Sequence, residues 1–266
     1  MIENFLITSR ETLEASLVIG IILAYLQRTD KESYKKTVWM GVAFGLGLSV
    51  LTAILFNVFA GGFEGRAEAL FEGVTMLIGV ALLTTMILWM MRQRRIAEHI
   101  HSKVDTHLAK DAIFSHLGLF FLAMIAVLRE GVETVIFLNA VRYSSGLSLI
   151  GGLLGVAVAI GLGWLFFYES RKINLKKLFT FSSVLLILFA AGLVAHGVHE
   201  LEEAKVLDPL ISPLYSINGV VNENSVLGSF LKGLFGYNGN PSLLEALSYW
   251  VYLGAVGVMW KRASTA

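Results

Sequence analysis

The sequence contains no cysteine and only three prolines in 266 residues, and it is poor in charge: 15% of residues are Asp, Glu, Lys or Arg, against 56% hydrophobic. The missing cysteine excludes a disulfide framework, a thiolate metal site, an iron–sulfur cluster and a cysteine nucleophile, so any metal chemistry must use oxygen or imidazole ligands. The shortage of charge excludes a water-soluble domain of this length, which could not cover such a chain with polar surface. Scarce proline beside 26 glycines speaks against a loop-rich β-barrel or a disordered chain and fits close-packed transmembrane helices. The expected class is an all-α polytopic membrane protein forming a single transmembrane domain over residues 1–266.

Stretches without Asp, Glu, Lys or Arg cover residues 38–63, 73–91, 112–128, 143–168, 178–199 and 246–260. Most can cross a hydrocarbon core of about 30 Å, which takes about 20 helical residues. The first apolar segment differs. Its charge-free run, residues 15–27, reaches only about 20 Å at about 1.5 Å per residue, so it spans only with Arg10, Glu11 and Glu14 inside the membrane. Likewise Arg129, Glu130 and Glu133 interrupt an apolar stretch that otherwise runs from 112 to 141. Seven transmembrane helices are expected.

Lys and Arg alternate with the connections. Arg28, Lys31, Lys35 and Lys36 follow the first helix; Arg92, Arg94, Arg95, Lys103 and Lys110 the third; Arg171, Lys172, Lys176 and Lys177 the fifth; Lys261 and Arg262 the last. The opposite side holds Arg66, Arg142, Lys205 and Lys232 against Glu3, Glu64, Glu68, Glu72, Glu200, Glu202, Glu203, Asp208, Glu223 and Glu245. The positive-inside rule then places the N-terminus outside and the C-terminus inside, with an acidic external face that attracts cations. No cleavable signal peptide is expected, because the N-terminus lacks a basic region ahead of its apolar run. In the linker of about 93–111, Ile96, Ile100, Val104 and Leu108 recur every fourth residue among charges, as in an amphipathic helix on the cytoplasmic interface. Its His99, His101 and His107 could receive a metal ion or simply form a solvated polar face. The outer connection, about 204–241, carries Leu227, Phe230, Leu231 and Leu234 on one helical face and is expected to pack over the outer mouth, before a last helix at about 242–261.

Arg10-Glu11-Thr12-Leu13-Glu14 in the first helix returns as Arg129-Glu130-Gly131-Val132-Glu133 in the fourth, and the helix after each begins with a GxxxG, Gly41 to Gly45 and Gly151 to Gly155. Two tandem three-helix units, about 1–92 and 112–203, must have opposite orientations because three is odd, and inverted repeats with polar groups near the midplane are a recurrent transporter plan. The halves are expected to rock against each other about the charged site.

Glu11 and Glu14, like Glu130 and Glu133, are three apart and project from one helix face. Six charged groups on a lipid face would be prohibitively costly, so they must face one another or a wet cavity. The plain alternative is a buried Arg–Glu network that only joins the helices, Arg10 reaching Glu14 and Arg129 reaching Glu133. Two guanidiniums leave two of the four carboxylates uncompensated, which suits a multivalent cation. Arg10 and Arg129 are expected to orient the glutamates and set the charge. Glu64, Glu68 and Glu72 fall at i, i+4 and i+8 at the outer end of the third helix, and His196, His199, Glu200 and Glu203 follow the same logic on the sixth. Both stripes could pass a cation to the paired motifs. A solvated helix start with favourable N-terminal acids, and histidines satisfied by hydrogen bonds, are the alternatives. Carboxylates with some imidazole select iron, manganese or zinc; the eight methionines read as gap-fillers.

The two RExxE motifs resemble the signature of the oxidase-dependent iron permease family, which includes the fungal high-affinity iron permease and the bacterial elemental iron uptake permease. Residues 191–203, with Gly197-Val198-His199-Glu200-Leu201, are similar to the family's sixth-helix segment, and residues 234–245, from Leu234 to Glu245, to a block before the last helix of bacterial members. The resemblance implies a seven-helix importer of the cytoplasmic membrane in which Glu11, Glu14, Glu130 and Glu133 handle iron as Fe2+ or Fe3+, with no permanently bound cofactor. It implies external iron-oxidising or iron-binding protein partners besides the lipid bilayer; no nucleic-acid partner is expected, and a homo-oligomer is compatible with the sequence. Two other classes compete. One is an intramembrane carboxylate-bridged metal oxidase, although such sites usually want Glu-x-x-His pairs that neither RExxE supplies. The other is a non-transporting membrane metal sensor or anchor.

Overall fold

The computed structural model describes residues 1–92, 104, 112–168, 175–218, 221, 222 and 225–265. Among these residues the chain is all-helical. Its helices are α1 (Ile2–Arg28), α2 (Lys35–Ala60), α3 (Arg66–Arg92), α4 (Ala112–Ser144), α5 (Leu149–Tyr168), α6 (Leu175–Glu203), the short α7 (Val226–Phe235) and α8 (Leu243–Thr265), with a 3₁₀ turn at Glu32–Tyr34 before α2. The long helices run unbroken because all three prolines, Pro209, Pro213 and Pro241, fall in the connection between α6 and α8. Tight connections use glycine where the backbone turns left-handed, Gly65 before α3 (φ 57°) and Gly146 before α5 (φ 87°). Among the described residues, four helices are long and apolar enough to cross a membrane, within Glu32–Ala60, Arg66–Met90, Phe179–Glu203 and Leu243–Arg262. Much of α2 turns apolar side chains such as Trp39, Val50, Leu55 and Val58 outward, as lipid contact requires.

The most extensive pairings join α1 to α5, α2 to α4, and α3 to α6. Small residues make them possible. A β-carbon on Gly45 would lie 2.8 Å from the Met124 carbonyl of α4, and one on Gly155 would lie 2.6 Å from the Phe5 carbonyl and 2.9 Å from the Ser9 amide of α1. Thr8 Oγ1 donates across this second seam to the Gly152 carbonyl (2.9 Å). Gly73 of α3 abuts the Gly197 carbonyl of α6. α1 and α2 each pack mainly on a helix of the other half, so the halves interlock, because each GxxxG serves a seam with the other half's charged helix.

The connection after α6 contributes α7, capped by Ser225 Oγ, which accepts from Gly228 N (2.9 Å), and ended by Gly236 in the left-handed region (φ 67°). It packs on α6 and α1. Leu227 and Phe230 of its expected apolar face point outward and exposed, while Leu231 lines a cavity of about 260 Å³ with Phe235, Tyr237, Tyr249 and Trp250. Except for Val104, which is buried, the amphipathic linker at 93–111 lies outside the described residues, His99, His101 and His107 included.

Two apolar clusters fill the bundle. One contains Leu6 and Ile7 of α1, Met76, Val80 and Leu83 of α3, Phe137, Ala140 and Val141 of α4, and Leu186, Phe189 and Leu193 of α6. The other contains Ile19, Ile22 and Leu26 of α1, Val38 of α2, and Leu119, Ala123 and Val127 of α4. Along both α1 and α4, the RExxE residues fall between the two.

Candidate metal-translocation site

The Asn4, Ile7, Glu11, Glu14 face of α1 is buried, as are Glu130 and Phe137 of α4. Antiparallel approach of α1 and α4 brings single carboxylate oxygens of Glu11, Glu130 and Glu133 within 4.8 Å of one another. The fourth glutamate is paired within its own motif: Glu14 Oε1 accepts from Arg10 Nε (3.1 Å). The second motif pairs differently. Arg129 donates from Nη2 and Nε to Glu130 Oε1 (2.5 and 3.1 Å) and its Nε lies 3.5 Å from Glu133 Oε1. Arg10 is enclosed, with Nη2 donating to Met90 Sδ (3.2 Å), whereas the Arg129 side chain is 51% exposed and lies 5.8 Å from the centre of the Trp89 ring. Among the described residues, the buried polar atoms without an N–H, O–H or acceptor partner include, besides atoms of Asn4 and Asn139, both oxygens of Glu11, Oε2 of Glu130 and Nη1 of Arg10. A plain Arg–Glu network would consume these atoms; a site for a hard cation keeps carboxylate oxygens free.

The acidic stripes converge as well. Gly73 lets α3 approach α6 so closely that its β-carbon would lie 3.1 Å from that of Glu200, and Glu72 stands within electrostatic reach of Glu68, Glu200 and Glu203. Glu64 is a correction. α3 starts only at Arg66, after the left-handed Gly65, so Glu64 sits exposed in the preceding turn and shares no helical face with Glu68 and Glu72. His196 follows its plain alternative, Nδ1 lying 3.0 Å from the Gly192 carbonyl of its own helix.

His199 instead joins a second group that the sequence reading did not assemble. His199, Glu202 and Glu245 bring one ligand atom each within 4.8 Å. His199 Nδ1 lies 3.2 Å from Glu245 Oε1, Ser242 Oγ donates to Glu202 Oε1 (2.9 Å), and Asn238 Nδ2 donates to Glu245 Oε2 (2.7 Å). Ser242 and Glu245 form a reciprocal cap at the start of α8, Ser242 N donating to Glu245 Oε1 and Glu245 N to Ser242 Oγ, both 3.1 Å. The S-x-x-E spacing before an apolar run was the available signal for Glu245.

Residues 1–262 match the profile of the Iron permease FTR1 family. The chain belongs to this family. As an iron permease it is a multi-pass membrane transporter, and iron is its cargo. Among curated relatives, the ferrous iron permease EfeU of Yersinia pestis is 33% identical over 260 residues, covering 95% of this chain and 90% of the relative. The ferrous iron permease EfeU of Escherichia coli O6:K15:H31 is 32% identical over 259 residues, covering 95% and 92%. No solved structure matches the chain.

Proposed function

We propose that this permease imports iron across the cytoplasmic membrane through the RExxE glutamates, with Glu11, Glu130 and Glu133 as the converged ligands and Glu14 as a fourth that Arg10 holds in reserve. The observation that carries the reading is the set of buried, unpartnered oxygens on Glu11 and Glu130, facing one another from two helices. Arg10 and Arg129 orient the acids and limit their mutual repulsion. Glu68, Glu72, Glu200 and Glu203 attract the cation to the mouth, with His199 at its edge. Seven spans with the N-terminus outside, made of inverted repeats 1–92 and 112–203, the linker 93–111, the outer connection 204–241 and a last helix, accommodate this route. The crosswise pairing of α1 with α5 and α2 with α4 is what a twofold relation between the repeats would produce. Iron is held only in transit, with no resident cofactor, and external iron-binding or iron-oxidising proteins deliver it.

The relatives' names specify ferrous iron, and three carboxylates suit Fe(II) as a weakly held ion. Uptake of labelled iron into proteoliposomes, offered as Fe(II) under reductant or as chelated Fe(III), tests the proposal. Saturable Fe(II) uptake that Glu11→Gln removes is expected; uptake unchanged in Glu11→Gln would sink the ligand assignment.

A further inference from the structure

The glutamate cluster lies between two apolar layers whose positions on α1 and α4 mirror each other. Ile7 precedes Glu11 by one helical turn and Phe137 follows Glu133 by one turn. Because the two helices run antiparallel, both fall on the same side of the glutamates. They meet in one cluster with Met76 of α3 and Leu193 of α6, all four at most 1% exposed. On the other side, Ile22 lies eleven residues after Glu11 and Leu119 eleven residues before Glu130, three turns away on the faces that carry the two glutamates. These two are also fully buried and share the second cluster with Val127. The free oxygens of Glu11 and Glu130 thus lie between two apolar layers, with the half-exposed Arg129 beside them on α4.

We propose that Ile7 and Phe137 form an outer gate and Ile22 and Leu119 an inner gate on the route through the carboxylate site. The proposal rests on the permease reading above. A hydrated cation cannot cross a dry apolar layer at useful speed, so each layer must part in turn for iron to reach or leave Glu11. Interlocked halves favour such local parting over rotation of one half against the other: Ile7 and Phe137 can separate while the glycine seams of α1 with α5 and of α2 with α4 stay closed. The layers also differ in makeup. Ile7 and Phe137 close against α3 and α6, the helices that bear Glu72 and Glu200, so the acidic zone and the outer gate move on the same two supports.

The absence of native cysteine permits a direct test with Glu11→Cys as the sole thiol. A membrane-impermeant, positively charged methanethiosulfonate is applied to one membrane face at a time. The reporter alone should react slowly from either face. Adding Phe137→Ala should raise the rate from one face by about tenfold or more, and adding Ile22→Ala should do so from the opposite face, as expected when the open population rises by that factor. Acceleration from the same face by both substitutions, or by neither, would overturn the proposal. If Phe137→Ala does not accumulate as monodisperse protein, Phe137→Leu takes its place under the same criteria. Iron uptake by the unmodified chain, measured in parallel, tests the permease reading separately, since the labelling pattern does not depend on flux.

Discussion

Arg10 and Arg129 hold equivalent places in two copies of one motif, yet their surroundings differ. Arg10 is enclosed and shared between Glu14 and Met90, whereas Arg129 is half exposed and serves Glu130 and Glu133. A lysine cannot reproduce the planar fork, so Arg10→Lys should lower iron uptake by roughly tenfold or more, the scale of removing an orienting partner at a metal site. Arg129→Lys, whose charge stays within reach of solvent, should lose less; equal losses in proteoliposome uptake would show that the asymmetry has no functional weight. Glu11→Gln and Glu130→Gln should each reduce uptake by about 10–100-fold at unchanged protein yield, and Glu14→Gln less. The sequence made the six charges legible, because apolar spans that contain Arg and Glu are costly unless the charges are used. It could not show that Arg10 bonds Glu14 while Glu11 keeps its oxygens free, since periodicity places a side chain on a face without choosing its partner. Glu202 and Glu245 were missed as ligand candidates for a related reason: their meeting with His199 depends on the fold of the connection between α6 and α8.

At the scale of helices, glycine decides which surfaces touch. Adding a methyl group at Gly155 would drive it into the backbone of α1, so Gly155→Ala should cost about 1–3 kcal/mol, as overpacking does. Gly47, also helical, has open space around its β-carbon position, and Gly47→Ala should be neutral or stabilise by about 0.5–1 kcal/mol. Thermal unfolding in detergent compares the two; a lower midpoint for Gly47→Ala than for Gly155→Ala would contradict the packing described. The GxxxG pairs were visible in the sequence as close-approach sites. Their partners were not, because a glycine stripe records small size and says nothing about which helix fills it. Glu64 shows the opposite failure: its i, i+4 spacing continued a helical pattern through a backbone that Gly65 breaks.

For the molecule as a whole, the acidic zone of α3 and α6 and the central carboxylates should contribute to different kinetic constants. Replacing Glu68, Glu72, Glu200 and Glu203 with Gln should raise the apparent KM for iron by roughly tenfold at low ionic strength, with the difference shrinking as salt rises. Glu64→Gln alone should leave KM unchanged, and a fall in maximal rate without a KM change in the quadruple variant would remove the acidic zone from the route. Protons compete with metal for carboxylates, so iron binding should weaken as pH falls and release protons at neutral pH. Calorimetry in buffers of different ionisation enthalpy checks this, a buffer-independent binding enthalpy being the contrary result. The crosswise pairing also bears on how the chain is made. α1 emerges first from the ribosome carrying Arg10, Glu11 and Glu14, and the helices that shelter them, α4 and α5, follow more than a hundred residues later, a delay on the order of ten seconds at about 5–20 residues per second. During that interval the nascent first helix needs a temporary host for three charges, so the insertion machinery, or an assisting membrane chaperone, must retain it until the second half of the chain arrives.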